Sequence, residues 1–90
     1  MKLEQNDSSL IFATTSIPDV FFTEYLSQAS GDFIKVYLYI YFLSKYNKEV
    51  KINDLSKKLE LPLKTIQDAI KYWEELGLLI RKNQGFIVAN

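Results

Sequence analysis

The alternation of apolar and polar positions divides the chain into a polar lead, two aromatic helices, a pair of shorter helices and a terminal hairpin. Met1 to Ser9 has no apolar period, and Leu10 to Phe12 is a brief β-prone run followed by turn chemistry at Thr14 to Ser16. Residues 1–13 are therefore expected to be a flexible arm with a short strand. Such a strand forms no sheet alone, so it must lie across its own domain or a second copy.

Pro18 suits the first position of a helix and Asp19 complements its positive end, with Phe21, Phe22, Tyr25, Leu26 and Ala29 recurring at helical spacing. These positions predict an amphipathic helix of about three turns. Gly31 is expected to end it in the left-handed conformation, with Asp32 opening the next helix. The following run, "DFIKVYLYIYFLSKYN", is apolar almost all the way round, which indicates a helix covered on more than one side. Phe33, Ile34, Tyr37, Leu38, Ile40 and Tyr41 form a core face. Lys35, Tyr39, Phe42 and Tyr46 form a second, half-polar seam, to be covered by the first helix or by a partner chain.

Val50 to Ile52 is predicted to add a strand of a few residues, and Asn53 to cap a helix whose Leu55 and Leu59 point inward while Lys57 and Lys58 point out. Leu61 and Pro62 make a tight turn, because proline bars the preceding helix from continuing. Ile66, Ala69, Ile70, Trp73 and Leu76 then form one apolar stripe, in which Trp73 is expected to anchor helix to hairpin. Gly77 closes this helix. "LLIRKNQGFIV" reads as strand, turn and strand, with Gly85 offering the positive φ of a tight hairpin. The order predicts a mainly α, α+β fold. It is a winged helix-turn-helix over residues 14–90, with an extra N-terminal helix and arm and a small C-terminal β-hairpin wing.

Composition narrows the chemistry. The 90 residues make one small domain, and the absence of cysteine and histidine removes disulfides, thiolate metal sites and the usual neutral-pH base. No signal peptide or membrane span is read, so a cytoplasmic location is expected. Glu74 and Glu75 are adjacent and diverge by about 100° on a helix, so they cannot share a proton as a catalytic pair. Asp68 with Lys71, and Lys71 with Glu75, are expected as surface ion pairs. The three glycines stand apart as punctuation rather than in a phosphate-binding loop. Neither catalysis nor any cofactor is expected.

The second helix of a DNA-reading helix-turn-helix carries cations toward the duplex. Here, between Leu63 and Leu76, Lys64 and Lys71 face Asp68, Glu74 and Glu75, a net charge of −1. The whole chain is balanced, with 11 basic and 11 acidic residues, so no global positive field gathers phosphate. The candidate DNA contacts are Lys64, Gln67 and Lys71 on the helix, and Arg81, Lys82 and Gln84 on the hairpin. With no arginine on the helix to hold a duplex, such contact is expected to be weak and salt-sensitive.

"TTSIPDVFFTEYL", the long apolar helix after it, and "DLSKKLELPLKTIQDAIKYWEELGLL" together resemble the N-terminal domain of DnaD-like replication initiation proteins of Gram-positive bacteria and their phages. The resemblance spans Thr14 to Val88, and Ser16, Ile17 and Pro18 are its most family-like local feature. It implies a primosome component acting with the replication initiator and with helicase loading, whose N-terminal domain self-associates and contacts proteins. In the family a separate C-terminal helical domain binds DNA, and no counterpart is seen in these residues. An N-terminal domain or a stand-alone short form is expected.

The homo-oligomer interface implied by this resemblance comprises Ile11, Phe12, Ile17, Phe21, Phe22 and Tyr25, with Lys35, Tyr39, Phe42 and Tyr46 of the aromatic seam. The competing readings are a small winged-helix transcriptional regulator that reads an operator, and a structural winged-helix subunit of another complex.

Overall fold

A computed structural model describes residues 13–46, 50–82 and 85–88. Helix α1 is the segment Phe21–Tyr25, α2 spans Gly31–Ser44, α3 Ile52–Leu59 and α4 Leu63–Glu75, and strands β1 (Leu79–Lys82) and β2 (Gly85–Val88) close the chain. The fold is mainly helical, with one antiparallel hairpin in which Leu79 pairs with Val88 and Lys82 with Gly85. The expected arm strand at Leu10 to Phe12 lies outside the described residues.

The first helix departs from the expected three α-helical turns. Residues 19 and 20 are helical, and the chain then widens into a π-helical segment in which the Leu26 amide donates to the Phe21 carbonyl at 3.0 Å. A wider turn brings residues four apart almost into line. Phe21 and Tyr25 share the inner edge, with ring centroids 6.4 Å apart, whereas Phe22 and Leu26 of the same predicted apolar face are exposed.

Helix α2 opens one step earlier than expected. Ser30 is its N-cap, its hydroxyl accepting from the Phe33 amide at 3.2 Å, so Gly31 is the first helical residue and neither it nor Asp32 plays the predicted capping part. Val36, Tyr37 and Ile40 are buried, and Phe33, Ile34, Leu38 and Tyr41 pack against the core at its edge. Val36 extends the buried face beyond the expected set.

Val50 is buried at a single β-bridge position, but Ile52 already belongs to α3, so the predicted strand does not extend through it. Lys51 occupies the N-cap without a side-chain bond, and Asn53 lies inside the first turn rather than capping it. Leu55 and Leu59 point inward as expected, and Lys57 and Lys58 outward. At the other end Glu60 adopts φ 57° and ψ 46°, a left-handed conformation unusual for a residue with a Cβ. The Leu61 amide reaches back to the Ser56 carbonyl at 3.2 Å, and the Ser56 hydroxyl donates to the Leu61 carbonyl at 2.6 Å. Pro62 then starts α4.

Ile66, Ala69, Ile70 and Trp73 of α4 are fully buried, and α2 against α4 is the principal packing of the domain. Leu76, predicted on the same stripe, is exposed, because α4 ends at Glu75 and Gly77 turns the chain with φ 81°. Trp73 has aromatic neighbours beyond the expected hairpin. Its indole meets Phe21, Tyr25, Tyr37 and Tyr72, with the Tyr37 ring closest at 4.8 Å between centroids, and its N–H donates to the Phe33 carbonyl at 2.8 Å. It therefore joins α4 to α1 and α2, within the core cluster that also holds Leu79. Leu79 is buried and Val88 packs at the core's edge. Gly85 stands in the strand opposite Lys82 rather than in the connection.

Two outcomes follow from this packing. Burial, then the neighbouring Tyr41 and Tyr25, pushes the Tyr37 phenol from 10.0 up to about 12. Its neutral form is favoured by folding, so this contribution is complete below pH 10 and is lost as pH rises toward 12, amounting to about 3 kcal/mol at most. Urea unfolding of Tyr37→Phe should lack this alkaline component, and an identical pH dependence in both proteins would contradict the assignment. Replacing Glu60 by glycine relieves the left-handed backbone and should raise stability by about 1 kcal/mol, read from the urea midpoint. A lower midpoint would sink that prediction.

Candidate functional site

The outer face of α4 presents Lys64, Gln67, Asp68 and Lys71, all exposed as the helical period requires. Part of its charge is engaged within the domain. Lys64 pairs with Asp68 at 2.9 Å across one turn, instead of the expected Asp68 with Lys71 or Lys71 with Glu75. Arg81 of β1 grips Glu74 of α4 with two hydrogen bonds, 2.9 and 3.2 Å long. This follows from strand alternation, because Arg81 lies on the same face of β1 as the buried Leu79 and so is aimed at α4. The guanidinium expected to meet a duplex thus grips a carboxylate of α4. Lys82 belongs to β1, and Gln84 lies outside the described residues.

The candidate protein-contact residues separate into distinct places. Ile11 and Phe12 lie outside the described residues. Phe21 is buried, its ring stacked on Tyr37 at 5.2 Å between centroids, while Ile17 and Tyr25 are half-buried against the core. Phe22, by contrast, is 52% exposed, and Val20 and Leu26 are also exposed beside it. Asp19 and Glu24 are exposed in the same stretch, which has no basic residue between Pro18 and Gly31. The outer edge of α1 is therefore apolar, with Asp19 one turn before Phe22.

On α2 the predicted seam forms a chain of rings: Tyr39 to Phe42 and Phe42 to Tyr46, each with centroids 5.7 Å apart. The first helix does not cover it, since α1 packs on the Tyr37 side. Lys45 was not singled out by sequence, yet its ammonium lies 5.9 Å from the Phe42 ring and 5.8 Å from the Tyr46 ring, and donates to the Thr14 carbonyl at 2.6 Å. The signal is a lysine one turn after Phe42 and next to Tyr46, visible only once the approach of Thr14 is known. Lys35 donates to the Leu59 carbonyl at 3.0 Å, satisfying the end of α3 and tying that end to α2.

Between α2 and α3 opens a groove of about 470 Å³ lined by Tyr39, Leu43, Val50, Asp54, Leu55, Lys57 and Lys58. Asp54 stands at i−3 and i−4 from the two lysines, yet the ion pairs among the described residues are only those of Lys64 and Arg81. Periodicity places each of these residues on a surface or in the core but carries no sign that they meet around one opening. Among the described residues no His, Cys, Asp and Glu group is arranged to hold a metal ion, and no helix is long and apolar enough to cross a membrane.

No family model, no curated protein and no solved structure matches this chain. The surfaces must speak for themselves.

The Lys64 and Asp68 pair is open to water, so its attraction is screened. Lys64→Ala and Asp68→Ala should each shift unfolding free energy by no more than about 0.5 kcal/mol. A loss well beyond that in urea titrations would show the pair to be structural.

Proposed function

We propose that this chain is a winged-helix module without catalysis of its own, acting by self-association and protein contact as the N-terminal domain of DnaD-like replication initiation proteins does in the primosome and in helicase loading. The order α2, α3, α4 and hairpin fits that fold, and the Ser16, Ile17 and Pro18 entry with its aromatic helix fits that family. One observation carries the functional part. The cation that the hairpin aims at α4 is held by Glu74, and Lys64 by Asp68, while Phe22, Val20 and Leu26 are left in water on a domain whose core is already complete. Removing apolar side chains from water favours association, whereas a helix with a net negative charge gains nothing from phosphate.

The competing reading, a small operator-binding regulator, draws on Gln67 and Lys71, which are exposed on α4. Light scattering over a range of protein concentration, together with anisotropy of a labelled duplex at low and high salt, separates the two. The expected result is a mass that climbs above the 10.5 kDa monomer, with at most weak duplex binding. A strictly monomeric protein that binds duplex tightly, with a steep fall on adding salt, would replace this reading with the regulator.

A further inference from the structure

We infer that the self-association proposed above is head-to-tail: the outer edge of α1 of one copy enters the groove between α2 and α3 of the next. The inference rests on that reading and adds the two surfaces and their polarity.

The two sides match in chemistry. The groove has an apolar floor of Tyr39, Leu43, Val50 and Leu55 and a rim with Lys57 and Lys58 opposed only by Asp54. The edge of α1 offers Phe22 and Leu26, aligned by the π-helical turn, with Asp19 one turn before Phe22. An aromatic and an aliphatic anchor with a carboxylate one turn away is what an apolar slot with ammonium groups on its rim accepts. The slot is larger than a single side chain fills, so both anchors can enter it. Because Asp54 leaves Lys57 and Lys58 without an ion pair at the favourable helical spacings, both lysines can meet a carboxylate from outside.

The two surfaces cannot meet within one molecule. Helix α1 stacks Phe21 on Tyr37, whereas the groove is lined by Tyr39, two residues along the same helix and therefore about 200° around its axis. Edge and groove thus face opposite sides of α2. Each copy can use both at once, which makes the contact heterologous and the assembly open-ended unless the rotation closes a ring.

A mixing experiment tests this on the full chain. Phe22→Glu disables the edge and leaves the groove; the double substitution Lys57→Glu with Lys58→Glu does the converse. All three positions are exposed, and circular dichroism melts check that each variant is folded. In sedimentation velocity, each variant alone should self-associate about thirtyfold more weakly than wild type, the threshold of an interface hot spot. An equimolar mixture should form a one-to-one dimer and nothing larger, because it retains one intact edge and one intact groove. A groove variant that assembles like wild type, or a mixture that fails to pair, overturns the head-to-tail arrangement while leaving self-association standing. A wild-type chain that stays monomeric at every concentration removes both.

Discussion

The indole of Trp73 is the point from which the rest of the domain is arranged. It is fully buried, yet its N–H reaches a backbone carbonyl of α2, so its polar atom is satisfied while its rings touch three aromatic neighbours on α1 and α2. A buried donor left unpaired would cost about 1–3 kcal/mol, which makes the position of Phe33 relative to α4 tightly constrained. Once α2 and α4 are locked at that distance, α1 has one place to rest, with Phe21 against Tyr37. The consequence is outward: the same helix that completes the core turns Phe22 and Leu26 to water.

Electrostatics then separates the surfaces by use. Asp68 and Glu74 of α4 engage cations of the same domain, Lys64 through an exposed helical pair and Arg81 through a two-pronged grip from the hairpin. The grip joins hairpin and helix at their exposed ends, beyond the reach of the core. At α3 the balance differs, because Lys57 and Lys58 sit in the last turn, where they complement the negative helix end, and still face the groove.

Most of the helices were legible because periodicity reports burial. Leu55, Leu59, Ile66, Ala69, Ile70 and Trp73 recur at positions that only an inward stripe explains, and Pro62 and Gly77 punctuate them. Legibility failed where local chemistry allows two solutions. Ser30 and Asp32 are both good caps, and Gly31 fits a helix end as readily as a first turn, so the boundary moved by a residue or two. In α1 the period of 3.6 put Phe22 and Leu26 on one apolar face with Phe21 and Tyr25 without saying which of them the core takes, and the packed structure leaves Phe22 and Leu26 exposed. The candidate surfaces were harder still. Exposure of Phe22, the reach of Arg81 to Glu74 and the meeting of Tyr39 with Lys57 and Lys58 are properties of packed elements, not of any one segment.

The widened turn of α1 has a consequence for how this domain can change. With residues four apart in line, the inner row of Phe21 and Tyr25 and the outer row of Phe22 and Leu26 are two strips of one register. Deleting a single residue within the segment would return the wide turn to α-helical spacing and disturb the alignment of the two strips. The outer strip keeps its register under side-chain replacement. Its chemistry is free to vary while its placement is inherited from the core.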